Sequence, residues 1–184
     1  SRGHYDPTMV RDLPDAAQRY FNFSIAPGSS LVPAVELDMV GELGLGTIDD
    51  PKYAPMKAHQ ILAPPHGLVW RIRVGAISGS DGATSSSSWT KFWLFGFIPV
   101  VRVKDDDDHH RSAFGRVVAE GAFWTPAMLL PGERVRWESV DENTARAIVT
   151  YHEFEQEVDL TVAPNGRPRH VVISRWSNQN ADRE

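Results

Sequence analysis

Residues 112–132 read SAFGRVVAEGAFWTPAMLLPG, and the way this stretch has to be buried decides the fold. On a helix of 3.6 residues per turn, Phe114, Val117, Val118, Gly121, Ala122 and Trp124 spread over more than half the circumference. Ser112, Arg116 and Glu120 recur every four residues and form one narrow polar stripe. A helix this apolar has to be covered by the rest of the chain. Pro126 and then Pro131-Gly132 end the pattern, because proline lacks the amide and clashes with the preceding turn. The chain on either side reads mainly as extended, which predicts a β-sheet with one helix to bury.

Upstream, residues 1–11 show no periodicity and read as a leader or linker. From Asp12, taken as a cap, Leu13, Ala16, Ala17, Tyr20 and Phe21 give one apolar face, and a short helix is expected to about Phe23. Val35, Leu37, Met39, Leu43 and Leu45 then alternate with mostly polar neighbours, a strand with a bend at Gly41 and one wet face. Further strands are expected over Met56–Leu62 and Leu68–Val74, the last with Arg71 and Arg73 on its outer side. Residues 75–88, rich in glycine and serine, read as a hairpin turn feeding a polar strand or as a mobile loop. Residues 89–103, WTKFWLFGFIPVVRV, are continuously apolar and suit a doubly buried strand or a cavity-lining segment, with Pro99 arguing against a central strand position. Beyond the helix, strands near 134–140, 145–151, 157–162 and 170–176 form a meander, with Asn165-Gly166 as the strongest hairpin signal.

Composition bounds the rest. The 184 residues fit one domain, and 41% hydrophobic with 23% charged residues marks a globular chain. A net charge of −5 with no run of arginine or lysine argues against a nucleic-acid partner. The lack of cysteine excludes disulfides, thiolate metal sites and a cysteine nucleophile. It leaves the compartment open between cytoplasm and cell envelope. No run approaches the ~20 apolar residues of a membrane-spanning helix. The chain begins at Ser1 rather than a methionine, so an upstream segment is an open expectation.

The spacing Ser112, Gly115, Arg116, Glu120, Trp124, Pro126, Leu129, Leu130, followed by Trp137, Asp141 and Ala145, resembles a bacterial family of unknown function. LPDAAQRYF near the start and KAHQ before HGLVWRIRV are similar too. The resemblance covers most of residues 12–176. Its chains usually continue into further β-structure, which implies a fragment or a shorter member. By analogy it implies an antiparallel sheet curled around a helix, as in bacterial lipoprotein carriers, and it brings no activity.

Arg116 and Glu120, four apart on one stripe, can form an ion pair that orients the helix, or can clamp a ligand and act as acid and base. The run DDDDHH at 105–110 reads as a solvated acidic loop favouring the next helix start; adjacent side chains do not close a metal cage, so no metal is expected there. No G-x-S-x-G, H-E-x-x-H or S-x-x-K motif occurs. A triad of Ser112, His59 and an acid is only one arbitrary grouping. GELGLG at 41–46 lies in an alternating strand and opens no helix, so it is not a dinucleotide loop. The many aromatic residues read as core or as the lining of an apolar pocket.

The expected fold is therefore α+β: a curved, half-barrel-like antiparallel sheet of about seven to nine strands around one buried helix, with a short amino-terminal helix. It occupies residues 12–176, followed by a polar tail, 177–184. The expected function is non-enzymatic binding or carriage of a hydrophobic small molecule or lipid between sheet and helix. The expected ligand-binding residues are Trp70, Trp93, Phe95, Phe114, Arg116, Glu120 and Trp124, with no cofactor. The alternative is a hydrolase or isomerase using Glu120 and Arg116, and an open sheet edge is a further candidate for self-association.

Overall fold

The computed structural model describes residues 3–176; the polar tail lies outside them. Ten strands divide between two antiparallel sheets. The first is a six-stranded meander of β1 (Val35–Gly44), β2 (Tyr53–Ala63), β3 (Gly67–Val74), β4 (Ile77–Ala83), β5 (Ser88–Leu94) and β6 (Ile98–Lys104). The second is a four-stranded meander of β7 (Val135–Ser139), β8 (Thr144–Tyr151), β9 (Phe154–Val162) and β10 (Pro168–Val172). Between them the chain forms the helix α2 (Asp107–Trp124). A shorter helix, α1 (Asp15–Ser24), packs on the second sheet. The α+β class with a short amino-terminal helix is thus the observed one, but the strands make two sheets where one was expected. Neither sheet closes into a barrel. The helix is the reason: it separates β6 from β7 in the chain, and each sheet covers a different side of it.

Phe114, Val118 and Ala122 of α2 join the main core, built with α1 and with Val149, Val158 and Leu160 of the second sheet. Val117 points the other way, onto Leu62 and Leu68 of the first sheet. Asp106 caps the helix by accepting from the His109 amide at 2.9 Å, and Asp107 and Asp108 complement the positive end of its dipole. Gly115 lets α2 sit close on β9, since a Cβ there would come within 2.6 Å of Gln156 Oε1.

Three local expectations change and one holds. Residues 3–11 are packed, with Tyr5 and Val10 buried in the main core and Asp6 capping a 3-10 turn over Pro7–Val10. Helix α1 starts after Pro14, without a side-chain cap, and Asp12 pairs with Arg11 instead. The glycine- and serine-rich stretch contains a true strand, β4, so its hairpin reading holds. Residues 89–103 are a hairpin, β5 turning into β6 at Phe95-Gly96, whose φ values of 54° and 82° are the signature of a type I′ turn. Pro99 lies on β6, the sheet edge, where a missing amide need not break a ladder.

The register orders the inner face of the first sheet into rows. Nearest to the middle of α2 lies the row of Leu62, Leu68, Ala83 and Ser88. The next row is Gln60, Trp70, Asp81 and Thr90. Beyond it come Met39, Ala58, Ile72, Gly79 and Phe92, and the sheet continues past them to its turns.

Candidate functional site

The second row is polar, and α2 lays its polar stripe on it. Arg116 donates from Nε to Glu120 Oε1 at 2.6 Å and from Nη1 to Asp81 Oδ2 at 2.7 Å. Its Nη2 reaches Gln60 Oε1 at 3.4 Å, and the Gln60 amide donates to the other oxygen of Glu120. The guanidinium lies over the Trp70 ring, 5.2 Å from its centroid, a cation–π contact in a mostly dry setting. Thr90 donates its hydroxyl proton to Asp81 and is 2.8 Å from His109 Nε2. That arrangement suits the Nε2–H tautomer, because His109 Nδ1 is buried without a hydrogen-bond partner among the described residues. Arg175 approaches from beyond β10, donating to the Ser112 carbonyl at 3.0 Å. Burial, then the like charge of Arg116, lowers its pKa, while Asp81 and Glu120 oppose that shift. Two carboxylates thus meet the Arg116 guanidinium in one layer, with Arg175 nearby on the Ser112 carbonyl.

Chemically this layer is closed. Each Glu120 oxygen already accepts from a donor, and Asp81 is held by Arg116 and Thr90. A carboxylate bound at both oxygens is oriented rather than offered as a base. Of the residues expected at the site, Trp70, Arg116 and Glu120 come together here. Phe114 faces the second sheet, stacked near Phe154 at 5.7 Å between centroids. Trp93 lies on the outer face of the first sheet, Phe95 at the exposed tip of the β5–β6 hairpin, and Trp124 is half exposed at the end of α2. His59 is on the outer face between Glu36 and Asp38, at 3.1 and 3.0 Å, away from Ser112.

Sequence reasoning missed Gln60, Asp81, Thr90 and His109. Asp81 sits in a glycine- and serine-rich stretch that gives no period, and only pairing with Trp70 and Thr90 reveals its direction. The acid in a polar strand opposite an arginine helix stripe was the available signal.

Two partly apolar surfaces adjoin the layer, a cavity and a sheet face. One, of about 280 Å³, lies where α2 meets the turns of both sheets, with Phe114, Val117 and Phe154 on its walls. His66 at its mouth is 2.9 Å from the Tyr151 hydroxyl, and His110 Nε2 is 2.7 Å from the Thr84 carbonyl. The other is the inner face of the first sheet past the polar row. There Ala58, Ile72 and Val74 are buried by Met39, Leu43, Met56 and Phe92. Every member of this cluster belongs to the sheet itself. Gly79 gives the Phe92 ring room to lie flat, since a Cβ there would stand 2.3 Å from its Cδ1.

The geometry defines a class: an α+β protein with two antiparallel sheets, neither closed into a barrel, an apolar inner wall on the first and an internal ion-pair layer under one helix. The chain belongs to a family of unknown function, DUF6544, whose model matches residues 3–184. No curated protein and no solved structure matches it.

Proposed function

We propose that the protein binds or carries a hydrophobic small molecule or lipid along the inner wall of the first sheet, with the ligand's polar end at the Arg116 layer. One observation carries this reading: Met39, Leu43, Met56 and Phe92 are apolar, only partly buried, and their apolar cluster includes no residue from outside their own sheet among the described residues. Apolar area left half exposed gains free energy when a ligand covers it. Methionine suits such a wall because its unbranched side chain repacks around different shapes.

The test is native mass spectrometry of the purified protein, followed by titration with a fluorescent fatty acid. A reproducible adduct that extracts into organic solvent, and probe binding that weakens about tenfold in Met39→Asp with the far-ultraviolet circular dichroism unchanged, are the expected results. A clean apo mass together with no probe binding, or equal binding by Met39→Asp, would overturn the reading.

A further inference from the structure

We infer that the end of the first sheet formed by the β1–β2, β3–β4 and β5–β6 turns docks on a membrane surface bearing anionic lipids. The meander puts these three turns at one end. Two of them carry large apolar residues into solvent: Ile48 is 96% exposed, Phe97 73% and Phe95 65%, with Leu45 and Tyr53 beside them more than half exposed. Phe95 is also in a position that does not favour it. At φ 54° in a type I′ turn the expected residue is Asn or Asp before glycine, and a bulky aromatic there is strained. Its exposed ring recovers nothing from the fold. A strained, exposed aromatic at a turn tip points to a contact outside the chain.

Charge says what the contact is. On the outer face, Arg71, Lys91 and Arg102 lie in one register row with His59, and Lys57 and Arg73 lie in the next with Trp93. None of these lysines and arginines has an ion-pair partner among the described residues. The single carboxylate of β3 to β6 is Asp81, and it points inward to Arg116. Cations and a tryptophan set one or two rows behind an apolar tip match the order of a bilayer, headgroups above hydrocarbon. Carboxylates oppose this on the β1 side, where Glu36 and Asp38 flank His59 on the outer face and Glu42, Asp49 and Asp50 lie towards the β1–β2 corner with Lys52 3.8 Å from Asp50, so the β5–β6 side makes the closer approach. A second copy seated there would bring the same unpaired cations face to face. A nucleic acid would use the cations but leave Ile48 and Phe97 in water. The docking residues differ from those of the inner wall, so the inference stands whatever that wall binds.

The test is vesicle co-sedimentation of the full chain, with phosphatidylcholine alone and with added phosphatidylglycerol, at low and high salt. The wild type is expected to bind the anionic vesicles, with a blue-shifted tryptophan emission, and to release them at high salt. Phe95→Asn with Phe97→Ser restores the preferred turn residue, so the fold is kept while vesicle binding falls about tenfold or more. Arg73→Glu with Arg102→Glu should remove the preference for anionic lipid. Failure of the wild type to bind phosphatidylglycerol vesicles would overturn the inference. So would equal binding by the Phe95/Phe97 variant at unchanged melting temperature, or a wild-type dimer that this variant dissociates. Binding to a mixed-sequence oligonucleotide that displaces the vesicles and survives the Phe95/Phe97 change would assign the face to nucleic acid instead.

Discussion

Arg116→Met tests whether the polar layer holds α2 on the first sheet. The substitution keeps most of the side chain's volume and removes its charge, leaving Asp81 and Glu120 without their nearest cation. Their side chains are only 20% and 26% exposed, and that of Arg116 19%. Removing one member of a fully buried pair costs about 3–5 kcal/mol, and the remaining exposure lowers this to about 2–3 kcal/mol. Against a total stability of about 5–15 kcal/mol that is readily measured by urea denaturation. In a chain of this length the melting temperature should fall by roughly 5–10 °C. Glu120→Gln should cost less, about 1 kcal/mol, because the amide still meets Gln60. The double variant should be less destabilised than the sum, with a coupling of at least about 1 kcal/mol. A loss below about 0.5 kcal/mol for Arg116→Met, or a coupling near zero, would refute the structural role of this layer.

Gly166→Ala should destabilise by about 2 kcal/mol or more in the same assay, since φ is 86° and a Cβ would lie 2.1 Å from the Arg19 carbonyl oxygen; an effect under 1 kcal/mol would contradict the close seat of α1 on the β9–β10 turn. Tyr20→Phe removes a buried hydroxyl that donates to the Ala122 carbonyl at 2.6 Å, and should cost about 1–2 kcal/mol by calorimetry. Hydrogen bonding by Arg146, at 2.6 and 2.8 Å, together with its charge, holds the Asp159 carboxyl below its usual range against a smaller push from burial. Its folded pKa is therefore below its unfolded one, so the stability it adds is present above about pH 4 and is lost as pH falls through the folded value. Asp159→Asn should flatten that acid limb of the stability curve, and an unchanged limb would show that other carboxylates govern it.

Much of this fold was legible because the patterns are local. The apolar circumference of residues 112–124 requires cover on two sides, and α2 has it. The alternation from Val35 marked β1, and Asn165-Gly166 marked the last turn, although β9 begins three residues earlier than expected and β10 ends at Val172 instead of Trp176. What the sequence concealed depends on register. Phe95-Gly96 lies inside a continuous apolar run, so nothing in hydropathy marks it as a turn, and Phe in a left-handed position is not the residue that turn chemistry leads one to expect. Asp81 has no partner nearby in sequence; its partner Arg116 is 35 positions away. The cationic face was concealed for the same reason. Lys57, Arg71, Arg73, Lys91 and Arg102 form no cluster along the chain, and only the period of two and the antiparallel register bring them to one side.

The two sheets are treated unequally by the same helix, and the difference carries the functional argument. The second sheet packs the middle of its inner face against α1 and α2, with Val149, Val158 and Leu160 almost wholly buried and Trp137, Tyr151 and Phe154 partly buried around them. The first sheet needs only the rows bearing Leu62, Leu68 and Gln60 to pack on α2, yet its strands continue for two or more rows beyond them. Those extra rows add an apolar wall that covers itself incompletely, and they end in turns bearing Leu45, Ile48, Phe95 and Phe97. A shorter hairpin ending in Asn-Gly would satisfy folding without exposed aromatics or a strained φ. The ion-pair layer also sits at the boundary, where an internal charge network is of least use to a hydrophobic core and of most use in fixing the helix edge of an open surface. Extended strands, half-covered wall, apolar tips and cationic outer face all lie on the same side of that boundary. The two proposals account for them together: in both, this half of the sheet meets apolar or anionic material outside the chain.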